Sequence, residues 1–243
     1  MSTQVESLPK TSNRTLNALT RSEYERLAPH LDHINLNLGE ILYHPDQAIT
    51  HVYFPNRGTV SVVSTFEDGG SVEVGMVGNE GMFGVSVFLG SITTPLQAVV
   101  QLPGDGHRMR VDVLKREFDK GGQLQDLLLR YTQAFITQIS QTAACNRAHH
   151  INGRLARWLL MCHDRSQSKD MNITQEFIAT MLGTRRAGVT VAAGQLRQEG
   201  LISYQRGHVT IKDRAGLEAK SCECYEIVKK EFSRLIGGNG HSV

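Results

Sequence analysis

Between residues 31 and 110 this 243-residue chain carries eleven of its 23 glycines and four of its six prolines, and beyond Pro103 it has no proline at all. Proline removes a backbone donor and clashes inside a helix, so the first stretch resists long helices while the second is free to form them. Within that first stretch, Ile34-Asn-Leu36-Asn-Leu38, Thr59-Val60-Ser61-Val62 and Val72-Glu-Val74-Gly-Met76 alternate with the period of two that lines one face of a strand with apolar side chains. Glu67-Asp-Gly-Gly70 reads as a hairpin turn, because glycine takes the positive φ of primed turns, and Val77-Gly-Asn-Glu-Gly81 reads as another. Many short strands punctuated in this way predict a β-sandwich or small barrel. A short helix is expected ahead of them, from about Thr20 to Leu31, with Thr20 or Ser22 as its cap.

After Gly121-Gly122 the period becomes helical. Leu124, Leu128, Tyr131, Phe135, Ile139 and Thr142 follow one another at steps of three or four residues with no helix breaker between them. Such a seam belongs either on its own domain's core or in a coiled-coil-like contact between two copies. The helix is long and joins two differently composed halves, so the dimer contact is the expectation.

Charge divides the chain as well. Residues 1–149 carry 12 basic and 15 acidic side chains, residues 150–215 carry 10 and 5, and residues 216–243 carry 4 and 4. A basic segment inside a nearly neutral protein suits a phosphate-backbone partner. Hydrophobic residues at 40 % and charged ones at 21 % exclude a disordered or fibrous chain. No apolar run reaches the roughly 18 residues of a membrane span, and the start MSTQVESLPK has neither basic leader nor apolar core, so a cytoplasmic protein is expected. The four cysteines, Cys145, Cys162, Cys222 and Cys224, all lie in the helical half, where reduced thiols are expected rather than a disulfide scaffold.

The basic segment holds the most informative motif. Thr174 can cap a helix burying Phe177, Ile178, Met181 and Leu182, and Gly183 can end it in the left-handed conformation. A second helix beginning at Thr184 would bury Val189, Ala192, Ala193 and Leu196. This is helix-turn-helix spacing, in which the second helix enters the DNA major groove with its N-terminal residues at base edges. Arg185 and Arg186 stand there, and a guanidinium can grip guanine O6 and N7 or a phosphate. Thr184, Ala187, Thr190 and Val191 complete the outward-facing set. After Gly200, the run from Leu201 to Ile211 reads as two strands around an Arg206-Gly207 turn, a wing that could touch phosphate through Arg206 and His208.

On these residues, Ile173 to Glu199 followed by Gly200-Leu-Ile above all, the chain resembles the Crp/Fnr family of regulators over nearly its whole length. The resemblance implies an α+β architecture: an N-terminal β-roll of the cyclic-nucleotide-binding type (residues 1–111 with the leading helix), a short helix and long dimerisation helix (112–149), a winged helix-turn-helix (150–215) and a C-terminal helix and tail (216–243). It also implies a homodimer on a palindromic double-stranded DNA site, with RNA polymerase as a partner if the protein activates. The family's base-reading positions fall on Arg185, Arg186, Ala187 and Val191. Only Arg186 keeps a residue common to many members, which implies a different operator.

The sensor half departs further from the family. Relatives that bind cyclic AMP hold its ribose and phosphate with a Gly-Glu pair and an Arg-Ser-Ala run. The corresponding stretches here are Gly84-Val85-Ser86 and Leu96-Gln97-Ala98, without the acid or the arginine. Burying a phosphate without a cation is costly, so ordinary cyclic AMP binding is not expected and the effector is left open, another cyclic nucleotide or dinucleotide being the alternative. Relatives with an iron–sulfur cluster use N-terminal cysteines, and none precedes Cys145 here.

Cys145 and His149 stand one helical turn apart, with His150, Cys162 and His163 nearby in sequence, but two ligands do not make a site. Cys222 and Cys224 on one helix would point about 200° apart. No metal site and no cofactor is therefore predicted. A cupin-like enzyme would need a His-x-His pair, which His33, His44, His51 and His107 do not supply, and no phosphate loop or nucleophile elbow is present, so catalysis is not expected.

Overall fold

The change of architecture falls where the prolines stop. The protein is described here by a computed structural model covering residues 11–166 and 168–237; the opening segment 1–10, read above for a leader, and residues 238–243 of the expected tail lie outside the described residues. Helices α1 (Arg14–Asn17) and α2 (Arg21–Leu27) precede strands β1 (Asp32–Leu36), β2 (Ile41–Tyr43), β3 (His51–Thr65), β4 (Ser71–Val77) and β5 (Gln97–Arg110). Helices α3 (Val111–Phe118), α4 (Gln123–Ala148) and α5 (Ile151–Ser166) follow, then β6 (Asp170–Asn172), α6 (Gln175–Met181), α7 (Arg186–Gln198), β7 (Ile202–Gln205), β8 (His208–Ile211), α8 (Arg214–Lys220) and α9 (Cys224–Ile236). Among the described residues no helix is long and apolar enough to cross a membrane.

The expected first helix is shorter than predicted. Thr20 and Glu23 form a capping box, and after Leu27 the chain tightens into a 3-10 turn at Ala28–His30. The N-terminal sheet is antiparallel in the order β1-β5-β3-β4, with β2 also on β5. The predicted turn joins β3 to β4, where the Gly69 N–H donates to Phe66 O at 3.0 Å and Gly69 has φ +83°. The β3–β5 ladder slips between Pro55 and Val60, opposite Pro103 and Gly104. Such bulges bend a long ribbon, and at Gly58 a Cβ would lie 2.6 Å from the Leu102 carbonyl. Strand β5 is not among the sequence expectations, because Pro103, Gly104 and Gly106 hide its alternation.

Two apolar cores result. The first fills the roll and includes Leu124, Leu128, Tyr131, Ala134 and Phe135 of α4 with Val228, Phe232, Leu235 and Ile236 of α9. The second joins α5, α6, α7, β7, β8 and α8 and also takes in Val63, Met76 and Leu102 from the roll. The C-terminal half is thus packed onto the roll rather than tethered to it.

This arrangement corrects the reading of the α4 seam. Leu124, Leu128, Tyr131 and Phe135 are buried in their own chain, Ile139 packs partly buried against the same core, and the Thr142 hydroxyl donates to Gln138 O at 2.9 Å. The cause is glycine on the facing roll. A Cβ at Gly75 would come 2.9 Å from the Phe135 ring, and one at Gly81 would collide with the Tyr131 ring. Both aromatic rings therefore rest on bare backbone, so the seam from Leu124 to Phe135 faces inward, into its own chain.

A second correction concerns the cysteines. Cys222 lies in the connection after α8, and only Cys224 belongs to α9, so the two thiols are not separated by a helical rotation. Their Sγ atoms, the Cys145 Sγ and a ring nitrogen of His149 all lie within 4.8 Å of one another.

Candidate nucleic-acid interface and sensor cavity

The predicted helix-turn-helix forms from its caps inward. Thr174 Oγ1 accepts from the Phe177 N–H at 3.1 Å to start α6, Gly183 turns at φ +56°, and the Thr184 N–H bonds back to Ala179 O at 2.9 Å. Arg185 is extended and is the N-cap of α7, so the helix begins two residues later than expected, at Arg186. No side chain caps α7. Its first N–H groups and the positive end of its dipole are left for an anion, which suits phosphate.

The faces of α7 separate cleanly. Val189, Ala192, Ala193 and Leu196 are buried, while Arg185, Arg186, Ala187, Thr190 and Val191 are exposed and Thr184 is half-buried. Val191 is 61 % exposed, an apolar side chain that helix packing leaves free to meet a thymine methyl. Two neighbours on α6 escaped the sequence reading. Gln175 accepts from the Thr190 hydroxyl at 2.7 Å, and Glu176 stands 4.0 Å from the exposed Arg186 guanidinium. Their signal was two polar residues directly after a helix cap, opposite the second helix.

The wing is a tight hairpin. Arg206 and Gly207 both have positive φ, +48° and +79°, the pattern of a type I′ turn, and the Arg206 side chain is exposed at its tip. His208 is exposed but held by β6, a strand the sequence reading missed: its Nδ1 is 2.8 Å from Asn172 Oδ1 and its Nε2 is 3.4 Å from Asp170 Oδ1.

Within the roll, Gly84, Val85, Ser86 and Leu96 do come together. They line a cavity of about 60 Å³ with Tyr43, Val62, Val77, Met82, Phe83, Thr94 and Phe135. Gln97 and Ala98 do not line it: Ala98 is wholly buried in the core and Gln97 opens β5 opposite Val63. The lining holds no charged side chain, and the volume is well below the roughly 300 Å³ at which ligand pockets usually start. Burial pushes the Tyr43 phenol up from its ordinary value, so it stays neutral.

The roll meets the C-terminal half through buried polar contacts. Glu73 of β4 accepts from Trp158 Nε1 of α5 at 3.1 Å, and its other oxygen is 2.6 Å from the Ser61 hydroxyl, which also contacts Gln101 Oε1. One hydroxyl carries one hydrogen, so a proton on Glu73 completes this pattern. Burial accordingly raises Glu73 to about 7 from an ordinary 4.5. Beside it, Arg165 of α5 bonds Glu80 at 2.8 Å and Gln138 of α4 at 3.0 Å, all buried, while Gln138 donates to Met76 O at 2.9 Å.

The Glu73 environment predicts a pH effect. Between pH 4.5 and about 7 the folded chain holds a proton that the unfolded chain has lost. Stability from this group is therefore fully present below the window and falls as pH rises through it, by at most about 1.4 kcal/mol per pH unit. Glu73→Gln is expected to stabilise the protein by about 2–3 kcal/mol at pH 8 and by little at pH 5. Denaturation curves at the two pH values check this; an equal effect at both would show that Glu73 stays ionised.

The comparisons with known proteins agree with both halves. The model of the cyclic nucleotide-binding domain matches residues 33–116, and that of the Crp-like helix-turn-helix domain matches residues 153–220. The global nitrogen regulator of Nostoc sp. is 24 % identical over 179 residues, covering 70 % of this chain and 80 % of that protein. Its counterpart in Synechocystis sp. is 23 % identical, covering 85 % of this chain and 96 % of that protein. Among solved structures, FixK2 from Bradyrhizobium japonicum superposes with a TM-score of 0.67 at 17 % identity, covering 79 % of this chain and 98 % of that one. The c-di-GMP responsive global regulator CLP from Xanthomonas campestris gives 0.60 at 15 %, covering 79 % and 99 %. At such identities the structural matches establish a shared fold. With the two domain matches in this order, an exposed recognition face on α7 and a wing beside it, the chain belongs to the Crp/Fnr family of DNA-binding transcription regulators.

Proposed function

We propose that this regulator is a cytoplasmic, non-catalytic homodimer that binds a palindromic site, with half-sites one helical turn, about 34 Å, apart. It would contact RNA polymerase if it activates. The observation that carries the DNA reading is the uncapped N-terminus of α7, with Arg185, Arg186 and Val191 exposed on it. A non-catalytic role is supported by both matched domains being binding modules. The division of labour along the chain follows the same logic: sensor over residues 1–111, dimerisation segment over 112–149, winged helix-turn-helix over 150–215, and C-terminal helix beyond.

The α4 face left for a partner copy is not the buried seam but the opposite stripe. Leu129, Ile136 and Ala143 repeat every seven residues, with Gln133 and Ser140 between them and Arg147 one turn beyond, and all are exposed. Two such stripes can meet about a two-fold axis.

The roll cavity suits a small uncharged effector and not a cyclic nucleotide, because it offers no cation to a phosphate. Phe135 lines the cavity from α4, so an occupant bears directly on the helix that joins sensor to partner. The effector must bind two conformations unequally to shift the protein between them.

Selection of bound sequences from a random duplex pool tests the reading, and enrichment of a palindrome is expected. No enrichment over scrambled DNA would remove it. Arg186→Ala is expected to lose about 1–3 kcal/mol of discrimination at one position per half-site, whereas Arg206→Ala should weaken all sequences alike and lower the salt dependence.

A further inference from the structure

We propose that Cys145, His149, Cys222 and Cys224 form a single zinc site that clamps the end of α4 to the α8–α9 connection. Cys145 and His149 are one turn apart at the C-terminal end of α4, where His149 is the C-cap and its N–H bonds to Cys145 O at 3.0 Å. Cys222 and Cys224 flank the start of α9. Chain positions 77 residues apart are thus brought together, with Cys145 Sγ 3.4 Å from Cys222 Sγ and Cys224 Sγ 3.4 Å from His149 Nδ1.

Four soft donors within 4.8 Å of one another suit one tetrahedral ion. With Zn–S near 2.3 Å and Zn–N near 2.0 Å, ligand atoms around zinc stand about 3.5–3.8 Å apart, so closing the set takes shifts of about 1 Å or less. A four-iron cluster would hold its ligands at the corners of a cube, further apart than these atoms lie.

The surroundings are those of a metal-bound histidine and thiolate. His149 Nε2 is 3.2 Å from Glu223 Oε1, a carboxylate that fixes the ring so that Nδ1 faces the thiols. Gln141 Nε2 donates to Cys224 Sγ at 3.1 Å. Three thiols release three protons on binding, leaving a site of net charge −1 beside Arg154 and Arg157, each with a buried Nε–H that has no partner among the described residues.

The clamp spans the two-residue hinge between α4 and α5, since α4 ends at Ala148 and α5 begins at Ile151. On the proposed function above, metal would then set the angle at which α7 is presented to DNA.

Titration of the fully reduced protein with cobalt(II) tests the site directly. One equivalent is expected to give intense thiolate-to-cobalt charge-transfer bands and tetrahedral d–d bands, both lost when one equivalent of zinc is added. Cys222→Ser should reduce the charge-transfer intensity. Glu223→Gln, which leaves the ligands and fold intact, should keep the spectrum while lowering zinc affinity about 10- to 100-fold. Absence of the bands in the wild type, or a Cys145–Cys222 disulfide that takes up no metal after reduction, overturns the proposal. Metal bound as expected, with operator affinity the same in its presence and absence, would sink the coupling to DNA and leave the site standing.

Discussion

Ile136→Glu is expected to leave the protein monomeric, if it forms the homodimer proposed above. Ile136 is 51 % exposed and Leu129 46 %, although both sit on a 26-residue helix whose other face is packed into the roll. Apolar side chains on a seven-residue repeat are the ones a parallel partner helix would cover, and two carboxylates meeting across a two-fold axis would repel in a desolvated seam. Each protomer would keep its fold, since Ile136 belongs to neither core and is 51 % exposed. Operator affinity should fall about 100- to 10,000-fold, because the second half-site is then no longer bound within the same complex. Sedimentation velocity reads the mass and circular dichroism the fold. Phe135→Glu is the informative contrast: it places a charge in the roll core and should unfold the sensor instead of separating intact protomers. A dimer surviving both Ile136→Glu and Leu129→Glu would place the interface elsewhere.

Arg165→Met is expected to cost about 3–5 kcal/mol of stability, because it leaves the Glu80 carboxylate buried without its cation. Arg165 ties four segments of the chain at once: it bonds Glu80 after β4 at 2.8 Å and Gln138 of α4 at 3.0 Å, lies 5.6 Å from the Phe232 ring centroid of α9, and itself belongs to α5. Replacing both partners, as Glu80→Leu with Arg165→Met, should restore most of the loss, since an apolar pair leaves no uncompensated charge. Denaturant unfolding of the three variants completes the cycle. A single variant as stable as the wild type would show that water reaches the pair.

The elements that were legible in the sequence are those made by residues close together along the chain. Thr174 bonds Phe177 three residues on, Gly183 turns in place, and Arg206-Gly207 closes a two-residue hairpin, so the helix-turn-helix and wing could be read from caps and turns alone. The same holds for the β3–β4 turn and the capping box at Thr20. Strand β5 was obscured because its proline and glycines serve bulges against β3, a partner some forty residues away in sequence.

The face of α4 is where sequence reasoning failed, and the reason is physical. The helix carries two apolar stripes, Leu124-Leu128-Tyr131-Phe135 and Leu129-Ile136, and its periodicity shows that both exist without showing what covers either. Gly75 and Gly81, distant along the chain, decide the matter by offering bare backbone to two aromatic rings. The group of three cysteines and His149 was misjudged in the same way, since placing Cys222 inside a helix hid its approach to Cys145. By itself, then, the sequence determined the order of the two halves, the recognition helix and the wing, because caps, turns and periodicity act over a few residues. Only the tertiary structure decided which α4 stripe is core, that the roll cavity is small and uncharged, and that three thiols meet one imidazole, because these depend on contacts between segments tens of residues apart.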